Sequence, residues 1–119
     1  MKRKIKRGDI YYMQLYNGTG SEQRGYRPVL IIQNDTGNKH SPTTIVAAIT
    51  SRIMKKDHMP THVKIGSQFG LSTDSLVMLE QIFTVDEQRL ESYVGSIYDK
   101  QTISKINRAI AVSFALDEA

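Results

Sequence analysis

The sequence predicts a small, mainly β domain that ends in one helix. In the first two thirds of the chain, short runs rich in β-branched and aromatic residues alternate with polar connections that contain glycine, which is typical of a small sandwich or barrel. In the last part, apolar residues recur at helical spacing instead. With 119 residues, of which 39% are hydrophobic, the chain is long enough for one domain, residues 1–119, that buries its own core.

Two nearly continuous apolar runs predict the central strands of the sheet. They extend from Arg27 to Gln33 and from Thr44 to Thr50, and such runs are expected of strands that are buried on both faces. The aromatic-rich run from Asp9 to Leu15 predicts another strand. Three shorter candidates follow, at His62 to Ile65, Ser75 to Leu79 and Tyr93 to Tyr98.

The C-terminal segment carries an apolar stripe with the period of an α-helix. The stripe is formed by Ile103, Ile106, Ile110 and Phe114, and Asp99 is placed to cap the start of the helix with its side-chain oxygen. We expect this helix to cover one face or end of the barrel rather than to form a ligand site. A short helical turn is also predicted around residues 86–90.

The residue content argues against several kinds of site. The chain has no cysteine, so disulfides and thiolate metal sites are excluded. It has no HExxH motif or carboxylate-rich metal pattern, and its glycines at 18, 20 and 25 are not followed by the Gly-Lys-Ser or Gly-Lys-Thr of a phosphate-binding loop. No metal or other cofactor is therefore expected. No apolar run suits a secretory signal or a membrane span, so the cytoplasm is the expected compartment.

Positive charge is concentrated in a basic N-terminal arm, residues 1–7. The arm holds five of the 16 lysine and arginine residues, and without it 11 basic residues stand against 12 acidic ones. A merely solvated arm would explain the formal net charge of +4. A second excess lies between Arg24 and Lys64, with seven basic and two acidic residues. Phosphate binding and an ordinary solvated surface explain that excess equally well.

The side chains alone leave the catalytic chemistry open. Cleavage of RNA through its 2′-hydroxyl can use two imidazoles, but His40 and His58 lie in polar connections and His62 begins a short β run, so the histidines form no convincing pair. Arg27 and Thr50 remain as polar residues at the ends of the two central strands. The side chains alone favour an ion pair at a strand edge for Arg27 and plain β propensity for Thr50 over catalysis.

Two long polar connections, residues 16–26 and 51–60, adjoin the central strands and predict a shared functional face. Tyr16 and Tyr26 flank the first connection, where stacking on bases competes with ordinary packing at the barrel rim. Because side chains alternate along a strand, Thr50 is expected to share a face with Val46 and Ala48.

Six sequence blocks, in register over about residues 8 to 116, resemble those of the MazF/PemK toxins. They are GDIY from residue 8, GSEQRGYRPVLIIQND from residue 20, SPT from residue 41, IVAAIT from residue 45, PTHV from residue 60 and LEQI from residue 79. The resemblance implies an SH3-like or CcdB-like small β-barrel with a C-terminal helix, which forms a homodimer. It also implies the toxin component of a type II toxin-antitoxin system, a metal-independent and sequence-specific endoribonuclease, or mRNA interferase, that cuts single-stranded mRNA.

The resemblance also assigns roles to individual residues. The family's catalytic arginine falls on Arg27 and its catalytic threonine on Thr50. Seven further residues are expected to contribute to RNA binding, namely Ser21, Glu22, Gln23, Asn34, Ser51, Glu80 and Gln81. For Glu22 and Glu80 a structural hydrogen bond or ion pair explains the residue equally well. The residues 1–7 and the connection around residues 54–58 depart from the family pattern, so the RNA target sequence does not carry over.

The implied reaction is attack of the ribose 2′-hydroxyl on the adjacent phosphorus, which leaves a 2′,3′-cyclic phosphate and a 5′-hydroxyl. Arg27 suits a clamp on the charged phosphate, and Thr50 suits a hydrogen-bond donor to it. The implied partner is an antitoxin with an acidic, partly disordered segment. Two alternatives remain at this stage: a noncatalytic, gyrase-binding toxin of the CcdB type, and a plain SH3-like binding module.

Overall fold

The computed structural model describes residues 3–15, 24–53 and 59–116. Within these ranges the chain forms six β-strands, two α-helices and two 3-10 turns. The strands are β1 (Asp9–Leu15), β2 (Gly25–Ile31), β3 (Thr43–Thr50), β4 (His62–Ile65), β5 (Ser75–Asp86) and β6 (Tyr93–Ser96). The helices are α1 (Asp35–His40) and α2 (Lys100–Ser113), and the 3-10 turns are Ser67–Phe69 and Glu87–Arg89.

The six strands form one curled antiparallel sheet, a half-barrel, in the order β4-β5-β3-β2-β1-β6. The strands β2 and β3 lie at its centre, as the two apolar runs predict. The prediction of a mainly β fold with a C-terminal helix is confirmed. No helix in the described ranges is long and apolar enough to cross a membrane.

One face of the sheet packs against α2, and we call it the helix face. Ala47 and Ile49 of β3 point to this face and belong to the same core cluster as Ile106 and Ala109 of α2. All four residues are at least 97% buried, with exposed fractions of 0–3%. The amphipathic stripe predicted for the C-terminal segment therefore packs on the sheet, which confirms the covering role of the helix.

The opposite face packs against residues 3–7 of the N-terminal arm, which we call the strap; this is the strap face. Val46 and Ala48 of β3 point to it, and Ile5 of the strap joins the same core cluster with 8% of its surface exposed. Burial of an isoleucine side chain stabilises a fold by about 1.5–3 kcal/mol. Since both faces are covered, the continuous apolar runs of the central strands are explained.

The strand β5 is longer than the sequence predicts. The predicted strand ended at Leu79, whereas β5 continues to Asp86. Its pairing with β3 is interrupted between Ala47, which pairs with Ile82, and Ala48, which pairs with Met78. Three residues of β5, 79–81, thus bulge out of the ladder, and the polar residues among them broke the sequence pattern.

The helix α2 begins where the sequence predicts but ends before Phe114. Asp99 accepts a hydrogen bond from the Thr102 backbone N–H at 3.0 Å, so the predicted N-cap is confirmed. Ile103 and Ile110 pack at the edge of the core. The prediction that Phe114 belongs to the apolar stripe was wrong. The helix α2 ends at Ser113, and 56% of the Phe114 surface is exposed.

Candidate active site

The register of the two central strands brings the two predicted catalytic positions together. Val29 of β2 pairs with Ala48 of β3 at this end of the ladder, and the same register continued by two residues places Arg27 opposite Thr50. The ladder stops at that point because Pro28 has no N–H to donate. Residues directly opposite each other in antiparallel strands have Cα atoms about 4.5–5.5 Å apart.

Arg27 and Thr50 also lie on the same face of the sheet. Each is two residues from a neighbour, Val29 and Ala48 respectively, that packs in the core of the strap face. Side chains two apart in a strand point the same way. Val46 and Ala48 share that core, and strand alternation extends the placement to Thr50. The two polar side chains form the rim of that face where the core ends.

The Arg27 side chain is half-buried and held at one nitrogen. Its Nε donates to the Arg24 backbone carbonyl at 2.7 Å. Its two terminal nitrogens have no hydrogen-bond partner within the described ranges, so the planar fork that can grip two oxygens of a phosphate is left for a ligand.

The Thr50 hydroxyl is buried but not saturated. Its residue is 7% exposed, and its Oγ1 accepts a hydrogen bond from the Arg52 backbone N–H at 3.1 Å. A hydroxyl can also donate one hydrogen bond, and no acceptor for that proton occurs among the residues that the structure describes. The bond from Arg52 fixes the oxygen, and the proton remains for a ligand.

A polar cleft of about 200 Å³ opens beside this rim. Tyr12 and Tyr26 stack there with ring centroids 5.2 Å apart and planes 13° apart, and 52% of the Tyr26 surface is exposed. Arg27 contributes to the lining, as does Ser51, whose side chain alternates with that of Thr50. Other lining residues are Pro28, Ile49, Leu71, Ser72, Thr73 and Ser75.

Tyr12 and the serine and threonine residues at 72 and 73 were not among the predicted site residues. Tyr12 comes next to the site through the β1–β2 register, in which it pairs with Pro28, the neighbour of Arg27. No sequence signal identifies Tyr12 or the 72–73 segment, because both come next to the site only through the pairing and packing of distant parts of the chain.

Glu80 has structural partners on β4 and beside it. Its two carboxylate oxygens meet the Thr61 hydroxyl at 2.9 Å and the His62 Nε2 at 2.9 Å. Glu80 thus makes the kind of structural hydrogen bond that was the alternative to RNA binding. Gln81 follows in the bulge of β5 and is half-buried.

Asn34 caps α1, where its side chain accepts a hydrogen bond from the Gly37 backbone N–H at 2.7 Å. It lies beyond the far end of β2 from Arg27. The remaining predicted RNA-binding residues, Ser21, Glu22 and Gln23, lie outside the described residues, as do Tyr16 and His58. In the described ranges, no group of three or more His, Asp and Glu side chains lies close enough to hold a metal ion.

Comparison with known proteins places this geometry in a family. The family model for PemK-like, MazF-like toxins of type II toxin-antitoxin systems matches residues 6–114. The chain is 49% identical over 113 residues to Endoribonuclease EndoA of Bacillus subtilis (strain 168), covering 94% of this chain and 96% of that protein. It is 51% identical over 113 residues to Endoribonuclease MazF of Staphylococcus saprophyticus, covering 94% and 92%.

A solved structure of similar fold is also that of an endoribonuclease. It is an endoribonuclease in complex with its cognate antitoxin from Mycobacterial species, with a TM-score of 0.75 and 27% sequence identity over 95% of this chain and 97% of that one. The family match covers most of the chain, and both relatives are covered almost end to end. The chain therefore belongs to the family of PemK-like, MazF-like toxins of type II toxin-antitoxin systems.

Proposed function

We propose that this toxin endoribonuclease cuts single-stranded mRNA at the rim where Arg27 faces Thr50, without a metal ion. The ribose 2′-oxygen attacks the adjacent phosphorus, the new O–P bond forms, and the bond from phosphorus to the 5′-oxygen breaks. The products are a 2′,3′-cyclic phosphate and a 5′-hydroxyl. The observation that supports the proposal is the β2–β3 register. Continued past Val29 and Ala48, it would put the guanidinium of Arg27 and the hydroxyl of Thr50 on one face of the sheet.

Arg27 acts in this proposal as the phosphate clamp. The crowded phosphorus of the transition state carries extra negative charge on its nonbridging oxygens, and a guanidinium can donate to two of them at once. The bond from Nε to the Arg24 carbonyl orients the fork before RNA arrives. Fixing the donor in advance is what makes such a contact effective in the transition state.

Thr50 acts as a second, oriented donor to the same phosphate. The bond from the Arg52 N–H occupies one lone pair of the hydroxyl oxygen and leaves its proton free to point at a ligand. The proton of the 2′-hydroxyl passes to solvent water, and water returns one to the leaving 5′-oxygen. Neither Arg27 nor Thr50 needs to change its charge in this scheme.

The cleft beside the rim suits an unpaired base. Proteins read RNA sequence mainly in unstacked bases that lie on aromatic side chains, and an exposed Tyr26 ring that already stacks on Tyr12 offers such a surface. Ser51 lines the same cleft, so we retain it as an RNA-binding residue. For Gln81 the support is its half-buried place in the β5 bulge, and for Ser21, Glu22 and Gln23 it is the family resemblance.

For Asn34 and Glu80 the contacts favour structural roles, through the α1 cap and the bonds to Thr61 and His62. We further propose that the whole chain forms one toxin domain, acts in the cytoplasm as a homodimer, and is inhibited by a cognate antitoxin whose acidic segment folds on binding. The support is that a structural relative was solved with its cognate antitoxin. Light scattering of the purified chain, alone and with the antitoxin, would test the assembly.

The test of the reaction is cleavage of a long single-stranded RNA in the presence of EDTA. The wild type is expected to cut at a small set of sites, and end-group mapping is expected to find 2′,3′-cyclic phosphates and 5′-hydroxyls. Arg27→Ala is expected to lose cleavage, whereas the matched variant Arg108→Ala, an exposed arginine on α2, is expected to keep it.

Three results would contradict the proposal in different ways. Absence of cuts by the wild type would remove the nuclease assignment and revive the gyrase-binding alternative, which the endoribonuclease relatives do not favour. Cleavage that returns only with added metal would remove the metal-independent mechanism. Undiminished cutting by Arg27→Ala would remove the site.

A further inference from the structure

The N-terminal strap is fixed to the fold at its last residue. The backbone N–H of Arg7 donates to an Asp35 carboxylate oxygen at 2.7 Å. The Arg7 side chain donates through Nε to the Ile32 carbonyl at 2.8 Å and through a terminal nitrogen to the Asn107 side chain at 2.8 Å. The hydrogen bond from Arg7 is the main reason that the pKa of Asp35 lies below its usual range. This end of the strap is therefore tied to α1, to α2 and to the residue that follows β2.

The strap is also fixed at its first and middle residues. Ile5 is buried in the core of the strap face. Arg3 lies with its Nε 3.8 Å from a carboxylate oxygen of the buried Asp9, and its guanidinium stands 3.9 Å from the centre of the Tyr93 ring. Alternate residues of the strap thus point inwards, so residues 3–7 are not the solvated tail that the charge of the arm alone would permit.

The residues between these anchors point outwards and are basic. Lys4 and Lys6 are exposed, and so are Lys39 and His40 in the last turn of α1. Two adjoining clefts of about 210 Å³ and 400 Å³ lie between the strap and α1, and Lys4, Ile5 and Lys39 line both of them. One carboxylate lines each cleft, that of Glu87 in the first and that of Asp35 in the second.

The charges at this surface favour an anion. Asp35 is already engaged by the Arg7 N–H and by the Asn38 side chain, and Glu87 also has an interaction partner. Within the described ranges none of the three lysine ammonium groups has a hydrogen bond or an ion pair, although the positive charge of Lys6 is one of the causes that lower the pKa of Asp35. Because the strap holds Lys4 and Lys6 in place, an anion that binds them need not order a flexible tail, which would otherwise weaken binding.

We propose that Lys4, Lys6 and Lys39 form a second nucleic-acid site, which binds the sugar–phosphate backbone of the RNA outside the cleavage site. The inference rests on the proposed function. Phosphates are favoured over an acidic protein segment because Ile5, itself buried, is the one apolar residue that lines the two clefts. A folding peptide segment needs apolar pockets to anchor it, whereas a phosphate chain needs mainly cations.

The location of this surface fits a continuous RNA path. The strap contacts the chain just beyond the end of β2, at Ile32, whose carbonyl accepts the bond from Arg7 and which lies five residues from Arg27. At about 3.3 Å per residue the two points are roughly 16 Å apart. Ile5 of the strap belongs to the same core cluster as Val29, the residue that shares a face with Arg27. The core residues of that face are buried, so an RNA strand that extends beyond the cut site has to pass over the outside of the strap to reach the lysines.

The experiment compares two triple variants that each remove three positive charges. The strap variant carries Lys4→Gln, Lys6→Gln and Lys39→Gln. The control variant carries Lys100→Gln, Lys105→Gln and Arg108→Gln, three exposed cations of α2. The probe is a 2′-O-methyl RNA strand of about 16 nucleotides, near the upper site size for small nucleic-acid-binding barrels, which cannot be cut by 2′-hydroxyl attack.

The readout is the slope of log Kd against log salt concentration. Each phosphate contact contributes about 0.7 to this slope for a single strand, so the strap variant is expected to lose about 2 from the wild-type slope and to bind several-fold more weakly. The control variant is expected to keep the wild-type slope. Equal slopes for the two variants would overturn the proposal. So would a strap variant that loses binding of poly-glutamate while its RNA slope is unchanged, since the surface would then fit an acidic protein.

A second measurement separates this inference from the proposed function. The rate of cutting a strand of about 4 nucleotides around a mapped cut site is expected to be the same in the strap variant and the wild type, because such a strand is too short to reach the lysines. If the wild type cuts no RNA but the slope still falls by about 2, the second site stands and the proposed function fails. If a variant with equal thermal stability cuts the short strand more slowly, the lysines belong to the cleavage site, and the inference fails.

Discussion

Two threonines of the same strand and the same face show how differently the two ends of the central sheet are built. Thr44 is fully buried, and its hydroxyl donates to the Asn38 side-chain oxygen at 2.7 Å. Thr50 is 7% exposed, and its hydroxyl accepts from Arg52 but donates to no residue in the described ranges. Six residues apart, one hydroxyl completes a structural network, and the other keeps a donor for a ligand.

The network at the Thr44 end extends to the surface through Asn38. The same Asn38 oxygen accepts from the Gln33 side chain at 3.1 Å, and the Asn38 amide donates to the Gln33 carbonyl at 3.0 Å and to Asp35 at 3.2 Å. Buried polar groups that are fully paired make an arrangement rigid. The end where the strap and α1 meet is thus built for stability, while the end with Thr50 retains unused donors.

The largest expected effect comes from Thr50→Val, which keeps the branched shape but removes the hydroxyl. Loss of one donor to the transition state typically lowers the rate by about 10²–10³, so kcat should fall by that factor with little change in KM. The free energy of unfolding should change by no more than about 1 kcal/mol, since only the bond from the Arg52 N–H is lost. Single-turnover cleavage and urea unfolding measure the two quantities.

Thr50→Ser serves as the control, because it restores a hydroxyl at the same position and should recover most of the rate. If Thr50→Val cuts RNA at the wild-type rate, the unused hydroxyl donor of Thr50 has no role in cleavage. If Val and Ser variants are equally slow, the hydroxyl is not the group that matters at this position.

The next largest effect is expected for Thr44→Val, which should lower the stability of the fold and leave the cleavage rate unchanged. This change removes the donor to the buried Asn38 oxygen, and an impaired buried network typically costs about 1–3 kcal/mol. The unfolding free energy should drop by about that amount, and kcat per folded molecule should stay at the wild-type value. Urea unfolding checks the first expectation, and cleavage well below the unfolding midpoint checks the second. A stable but slow Thr44→Val variant would show that the two ends are coupled.

The β pattern and the central position of β2 and β3 could be predicted because their apolar runs record burial on both faces. The helix α1 was missed, since residues 35–40 have no apolar period and the helix depends on the Asn34 cap and the buried Asn38. The full length of β5 was missed because Glu80 and Gln81 interrupt its pattern where the strand bulges. In both cases polar contacts, rather than hydrophobic periodicity, define the element.

For the site, the residues alone placed Arg27 and Thr50 at strand ends, and the family resemblance assigned them their roles. Their position opposite each other depends on the register, which no local pattern near either residue encodes. The strap is a similar case. Five basic residues in seven predict a charged arm, but the inward direction of the Arg3 side chain depends on Asp9, and that of the Arg7 side chain depends on the Ile32 carbonyl and the Asn107 side chain.

The smallest expected effect is a pH dependence of the Thr44 end through Asp35. The pKa of this carboxyl is lowered in the folded state, first by the Arg7 N–H, against the opposing effect of partial burial, and also by the Asn38 amide. A lowered folded pKa stabilises the fold at pH values above the unfolded pKa, which is near 3.8. This stabilisation is lost as pH falls from that value through the lower folded pKa. Because the carboxylate is exposed and screened, less than about 1 kcal/mol is expected.

Asp35→Asn isolates this contribution, since the amide has nearly the same shape and does not titrate. The difference in unfolding free energy between wild type and Asp35→Asn, measured by urea at pH 6 and at pH 3, should favour the wild type at pH 6 and shrink at pH 3. A difference that stays constant would show that Asp35 acts as a hydrogen-bond acceptor whatever its charge. A difference that grows at pH 3 would mean that its folded pKa is raised, and the network joining the strap to Thr44 would then not depend on an ionised carboxylate.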